Sequence, residues 1–167
     1  MNSLGLTSTI YESPIGPLML AASPVGLQIC DRPAGPARFT APASGSVLAE
    51  ACRQLDEYFS GRRRVFDVPL DPWAASDFSR DVYAALSRVP YGSTVTYGDL
   101  AARLGCSGAQ RAVAAALGAN RLSIFIPCHR VVAARGSGGY RLGLPAKLSL
   151  LALEAENSIF AAPVENS

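Results

Sequence analysis

A chain of 167 residues, 49% of them hydrophobic, can bury a substantial core in one medium domain or two small ones. No apolar run approaches the ~20 residues of a membrane span, and the N-terminus lacks the basic-then-apolar order of a secretory signal. Cys30, Cys52, Cys106 and Cys128 form no C-x-x-C and share the chain with one histidine, which argues against zinc and a disulfide framework and for a reducing cytoplasm, while a net charge of +2 does not by itself announce a nucleic-acid binder.

Residues 8–31 alternate polar and apolar, with turn signals at Ser13-Pro14-Ile15-Gly16 and Ser23-Pro24-Val25-Gly26. The pattern predicts three short strands of an antiparallel meander. A loop rich in Pro, Ala and Gly fills 32–45, and a helix follows with Val47, Ala51, Leu55, Tyr58 and Phe59 on one face and Gly61 as its stop. Arg62-Arg63-Arg64 reads as a solvated turn rather than a nucleic-acid patch. Val65 to Leu70 alternates as a strand, broken by Asp71-Pro72. A boundary near 71–76 divides the chain into an N-terminal domain, 1–75, and a C-terminal domain, 76–167. The fold class expected is α+β: a small antiparallel sheet with a helix, then a mostly helical domain.

Beyond the boundary, Ser76 can cap a helix with an apolar stripe of Phe78, Val82, Tyr83 and Leu86 that ends at Pro90-Tyr91-Gly92. Thr96-Tyr97-Gly98-Asp99 resembles a capping box and starts a helix with Leu100, Ala101 and Leu104 inward and Gly105 as its stop. After Cys106, Ser107 is expected to cap a second helix ending near Leu117. Two short helices with so tight a join fit helix-turn-helix geometry. The second offers only Gln110 and Arg111 as base-reading side chains, and its small residues suit either close approach to a minor groove or tight packing.

Ile124 to Val132 is β-branched and aromatic and reads as a buried strand stopped at Pro127. Cys128 and His129 come next. A thiol is a nucleophile as thiolate, and an imidazole can take its proton directly or through one water. The dipeptide alone also admits a small buried hydrophobe beside a satisfied polar neighbour. Gly136-Ser137-Gly138-Gly139-Tyr140 is a flexible loop, and Pro145 opens a last helix to about Asn157. On it Lys147 and Glu154 share one face, with Leu148, Leu151 and Ala155 on another. Glu154 either orients the histidine or belongs to a solvated surface pair. The basic excess lies in this half: residues 91–167 carry seven Lys or Arg against four acids, residues 1–90 eight Arg against nine. A phosphate-facing surface there would require that bias.

Taken together, these segments resemble the O6-alkylguanine-DNA alkyltransferase family of DNA-repair proteins, from Ser13-Pro14-Ile15-Gly16 to Glu154. The most specific part is Asn120 followed by Pro127-Cys128-His129-Arg130-Val131. Phe78, Val82, Pro90-Tyr91-Gly92, Thr96-Tyr97-Gly98, Arg111-Ala112-Val113, Gly139-Tyr140, Lys147 and Leu150 to Glu154 support it. The resemblance implies a ribonuclease-H-like N-terminal domain and single-turnover transfer of an alkyl group from O6-alkylguanine, also O4-alkylthymine, in double-stranded DNA to the protein's own cysteine. Cys128 would be the acceptor, with His129 and Glu154 as a water-linked relay. Tyr97 would donate to the departing guanine and Lys147 would stand beside the pocket. Arg111 would enter the duplex in place of the flipped nucleotide. Gln110, Ala112 and Thr96 would contact DNA, and Asn120 would tie the recognition helix to the active-site segment. Val131, Tyr140, Arg141 and Leu117 would line the substrate pocket. A monomer with no cofactor and no metal is expected. Ser23 and Gln28 stand where some relatives place zinc ligands. Gln110 replaces a small residue, the loop from Cys128 to Tyr140 is one residue shorter, and Arg141-Leu142-Gly143 makes a bulkier rim.

A lesion-sensing DNA-binding module and a thiol enzyme for small molecules are the rival readings. The presence of Cys128 speaks against the first.

Overall fold

The computed structural model describes residues 5–35 and 39–159. Strands β1 (Thr7–Ser13), β2 (Gly16–Ala22) and β3 (Leu27–Asp31) form an antiparallel sheet in the order β1-β2-β3. Ser13 faces Gly16 across the first hairpin, and Gly16 adopts φ +107°, a conformation a side chain would strain. Helix α1 (Val47–Phe59) begins at Ser46, whose hydroxyl accepts from the Ala49 amide. Its buried face is Leu48, Ala51, Gln54, Leu55 and Tyr58, packed against Leu18 and Leu20 of β2. Val47 and Phe59 are only half-buried.

The strand expected over 65–70 is not formed. Pro69 has no N–H to give a ladder. Val65 is 75% exposed, and only Leu70 makes a bridge, to Leu27. Gln54 instead reaches out of α1 to bond both the amide and the carboxylate of Asp67. The Arg62–Arg64 run is a turn in which Arg63 pairs with Glu57 and Arg64 donates to the Asn157 carbonyl.

Helix α2 (Asp77–Leu86) is capped by Ser76 and buries Val82, Tyr83 and Leu86; Phe78, expected inward, is 38% exposed. Strand β4 (Val95–Thr96) leads into α3 (Tyr97–Arg103), with the Thr96 hydroxyl accepting from the Asp99 amide at 3.1 Å. Gly105 at φ +73° ends it. Helix α4 (Gln110–Gly118) starts at Ala109 with no side-chain cap. Ser107 is not the cap, because the chain spends an extra residue turning through Gly108 at φ +90°. Helices α3 and α4 make the expected helix-turn-helix.

The segment 124–132 is not a continuous strand. Ile124 sits at φ +74° in a tight turn, the Ile126 amide bonds back to the Leu122 carbonyl, and Cys128–Arg130 is a single 3₁₀ turn. Only β5 (Val131–Val132) is extended, parallel to β4. Pro127 and the side chain of Asn120, which holds the Leu122 amide and the Ile126 carbonyl, impose this path over the β propensity. A left-handed β-branched residue costs about 1–3 kcal/mol and persists where its surroundings over-determine it. The turn is stitched to the sheet: the Cys30 amide donates to the Arg121 carbonyl at 2.7 Å, and the Ser123 amide to that of Cys30 at 3.1 Å.

Helix α5 (Leu144–Ile159) turns its charged face inward, as the histidine-orienting alternative for Glu154 requires. Its buried residues are Ala146, Lys147, Leu150 and Glu154, whereas Leu148 is 49% exposed, Ala155 is exposed and Leu151 half-buried. A charged stripe faces inward because every charge on it finds partners there.

Candidate active site

The 3₁₀ turn places Cys128 at the floor of a cavity of about 410 Å³. Tyr97 from α3, Ala114, Leu117 and Gly118 from α4, and Gly139, Tyr140 and Arg141 from the following loop complete the lining. Cys128 is 5% exposed, and its Sγ accepts from Asn120 Nδ2 at 3.2 Å. Burial pushes the thiol up to about 11, although donation from Asn120 and the backbone and the charges of Lys147 and Arg141 oppose the rise. At rest the sulfur therefore holds its proton. It needs a base at the moment of reaction.

His129 is fully buried. Its Nε2 lies 2.7 Å from Glu154 Oε1, while no polar atom partners Nδ1. Beside an ionised carboxylate, Nε2 carries the hydrogen and Nδ1 presents a free lone pair. Burial holds the imidazole below its usual value, against the pull of Glu154. A neutral imidazole with one open acceptor is the form a thiol proton requires.

Glu154 is the hub of the buried network. Burial raises its carboxyl, but bonds and charges from His129 and Arg130 more than compensate and bring it down to about 2. Arg130 Nε donates to Oε2 at 2.9 Å and Nη2 to Oε1 at 3.0 Å, a two-point grip, while Nη1 donates to the Val89 carbonyl. The Gly92 amide adds 3.2 Å to Oε2, and the Tyr58 hydroxyl 2.8 Å to Oε1. The solvated-pair alternative for Lys147 and Glu154 does not apply: both are fully buried. Lys147 donates to the Val131 carbonyl at 2.6 Å and the Gly139 carbonyl at 2.9 Å, tying β5 to the loop that covers the pocket.

The remaining candidates fall into three places. Tyr97, Tyr140, Arg141 and Leu117 line the cavity, whereas Val131 is fully buried outside the lining, its carbonyl accepting from Lys147. Arg141 donates to Asp31 Oδ2 at 2.7 Å and to the Gly118 carbonyl at 3.0 Å, so the bulky rim is fixed by an ion pair with β3. Gln110, Arg111 and Ala112 form the exposed N-terminal face of α4, outside the cavity, and Thr96 serves as the cap of α3. The sequence reasoning missed Tyr58, Gly92, Arg130 and Asp31 as contributors. Arg130 stands next to the histidine and was open to suspicion; the other three carry no local signal.

Two sequence models of the 6-O-methylguanine DNA methyltransferase match the chain in tandem: its ribonuclease-like domain over residues 6–72 and its DNA-binding domain over 77–156. The chain belongs to the 6-O-methylguanine DNA methyltransferase family. This methyltransferase is 43% identical over 153 residues to the methylated-DNA–protein-cysteine methyltransferase of Methanosarcina barkeri, covering 89% of this chain and 96% of that protein. It is 42% identical over 147 residues to that of Mycobacterium leprae, covering 86% and 88%. Its fold superimposes with a TM-score of 0.80 on Mycobacterium tuberculosis OGT in complex with DNA, at 40% identity and covering 90% of this chain and 94% of that one. Ser23 and Gln28 both donate to Asp71 Oδ2, at 3.1 and 2.7 Å. Among the described residues no three His, Cys, Asp or Glu side chains gather to hold a metal.

Proposed function

We propose that this methyltransferase repairs DNA by moving an alkyl group from O6-alkylguanine onto Cys128. The observation that carries the assignment is a thiol held in its protonated form at a base-sized cavity, followed in the chain by a buried imidazole whose Nδ1 is left open. His129 Nδ1 takes the Cys128 proton, through one water where the gap requires it, while Glu154 steadies the imidazolium. The thiolate attacks the alkyl carbon, the carbon–O6 bond breaks, and the electron pair leaves on the guanine. Tyr97, at the cavity wall, donates to that developing charge. The thioether at Cys128 is not hydrolysed, so one chain removes one group. O4-alkylthymine, whose alkyl group hangs from the same kind of exocyclic oxygen, fits the same step.

The alkylated oxygen lies inside the duplex stack, so the nucleotide must turn out into the cavity at a cost of a few kcal/mol. Arg111, exposed at the start of α4, fills the gap it leaves, with Gln110, Ala112 and Thr96 on the same approach. Small side chains let the helix come close to the minor groove. The division at 71–76 then separates a sheet domain that braces the site from a helical domain that holds DNA. Four free cysteines, and the absence of any described helix long and apolar enough to cross a membrane, favour action in the cytoplasm. The proposed step draws on residues of one chain only, which is compatible with a monomer. In a duplex bearing O6-methylguanine, the wild type should clear the lesion stoichiometrically. Cys128→Ala should bind the same duplex and leave the lesion in place. Clearance by the variant would remove Cys128 from the role.

A further inference from the structure

Glu154 Oε1 is shared. It accepts from His129 Nε2 at 2.7 Å and, on its other side, from the Tyr58 hydroxyl at 2.8 Å. Tyr58 comes from α1, at 96 residues' remove from Glu154, and among the described residues it is the only side chain before residue 75 that touches this carboxylate. Its ring is fully buried and fixed by Phe59 and Tyr91 edge-on at 5.3 and 6.1 Å and by Phe66 tilted at 5.4 Å. The hydroxyl is closed off from bulk solvent, and its one hydrogen is committed to Glu154. The Arg130 fork and the Gly92 amide already hold the carboxylate in place. A further donor on Oε1 is therefore not needed for geometry. It competes with the imidazole for the same lone-pair density.

On that ground we infer that Tyr58 is a positioning residue of the reaction: by donating to Glu154 Oε1 it limits how strongly the carboxylate pulls on His129, and so sets the basicity of the imidazole. The inference rests on the assignment of His129 as the base for Cys128. The other charged or titratable groups around the pair are Arg130 on Glu154, Lys147 and Cys128 beside the imidazole, Tyr140 edge-on to it at 6.3 Å, and Tyr91 with Arg130 and Arg64 over its ring. All are left unchanged by a substitution at Tyr58. Removing the donor concentrates charge on Oε1, strengthens the Nε2–H bond and makes the imidazole easier to protonate.

The test is Tyr58→Phe, read by the pH dependence of single-turnover methyl transfer from a saturating O6-methylguanine duplex. The rate falls at low pH because protonated His129 can take no further proton. In the variant this acid limb should move to higher pH by roughly half a unit, and the plateau above it should not fall. His129 is the sole histidine, so imidazole NMR of the free protein should report the same upward shift. Replacing Tyr58 with 3,5-difluorotyrosine, a stronger donor of nearly the same shape, should move limb and imidazole the other way. In a Glu154→Gln background Tyr58→Phe should shift neither. A lowered plateau with an unmoved limb and unmoved imidazole would make Tyr58 a packing residue and overturn the inference, as would shifts of the opposite sign. If the wild type transferred no methyl, the assignment of Cys128 would fail, while the imidazole titration would still judge Tyr58. Should Tyr58→Phe not fold, the fluorinated protein decides alone.

Discussion

The site's central residue is a thiol that stays protonated until needed. Burial keeps Cys128 up at about 11, and the same burial keeps His129 neutral, so the pair rests as thiol and imidazole rather than as an ion pair. Transfer should therefore be nearly flat with pH above the ordinary imidazole range of about 6.5 and fall below it, as His129 gains the proton it must be free to accept. Rates in a buffer series between pH 5 and 9 check this. A rate still climbing steeply up to pH 9 would mean that free thiolate, not the relay, carries the reaction. Asn120, Cys128 and His129 were legible in the sequence because they lie in one short run. Arg130 stood in the same run but its partner did not, and Tyr58 was not legible at all, for they act on Glu154 across 24 and 96 residues of chain. No periodicity records such pairing.

Among the elements, α4 is the one shaped by what it must approach. Its buried face is Val113, Ala116 and Leu117, and its outer face is Gln110, Arg111 and a row of alanines. Placing a charge there tests the approach without touching the core. Ala112→Glu should lower transfer from duplex by tenfold or more through repulsion of the phosphates, yet change stability by no more than about 0.5 kcal/mol. Comparison with a single-stranded substrate, expected to suffer less, separates docking from chemistry. Equal rates for wild type and variant on duplex would place the DNA elsewhere. The helix-turn-helix was readable from its glycines and from the Thr96 hydroxyl on the Asp99 amide, although the cap expected at Ser107 is absent. Helix α5 was readable in period, while the sequence leaves its direction open between two readings of Glu154. Lys147 and Glu154 mark one face in either case, and only their hydrogen bonds with Val131, Gly139, His129 and Arg130 turn that face inward. The β-branched run at 124–126 misled for a related reason: Pro127 and Asn120 hold Ile124 at φ +74°, against its own preference.

Across the molecule, the sheet and the helical half meet at the site rather than away from it. Strand β3 bonds the active-site turn through Cys30, Asp31 holds Arg141 at the rim, and Tyr58 reaches Glu154. Folding and the relay consequently titrate together. Glu154 lies below its ordinary 4.5 at about 2, so its contribution to stability is present above 4.5 and is lost as pH falls towards 2. His129 is also lowered; the unfolded chain gains a proton near 6.5 that the folded one resists, which removes stability as pH drops through that region. Urea unfolding between pH 7 and 2.5 should show two successive losses. Glu154→Gln should abolish the lower one, while costing about 3–5 kcal/mol at neutral pH because Arg130 is left buried without its counter-charge. A variant as stable as the wild type at pH 7 would contradict the network as described.

The most direct measurement is the mass of the protein after exposure to excess O6-methylguanine duplex, followed by mapping of the modified peptide. One methyl per chain, on the fragment holding Cys128 and on none holding Cys30, Cys52 or Cys106, is the result expected. An unmodified Cys128, or lesions removed in multiple turnovers per chain, would contradict the assignment of this sulfur as the permanent acceptor.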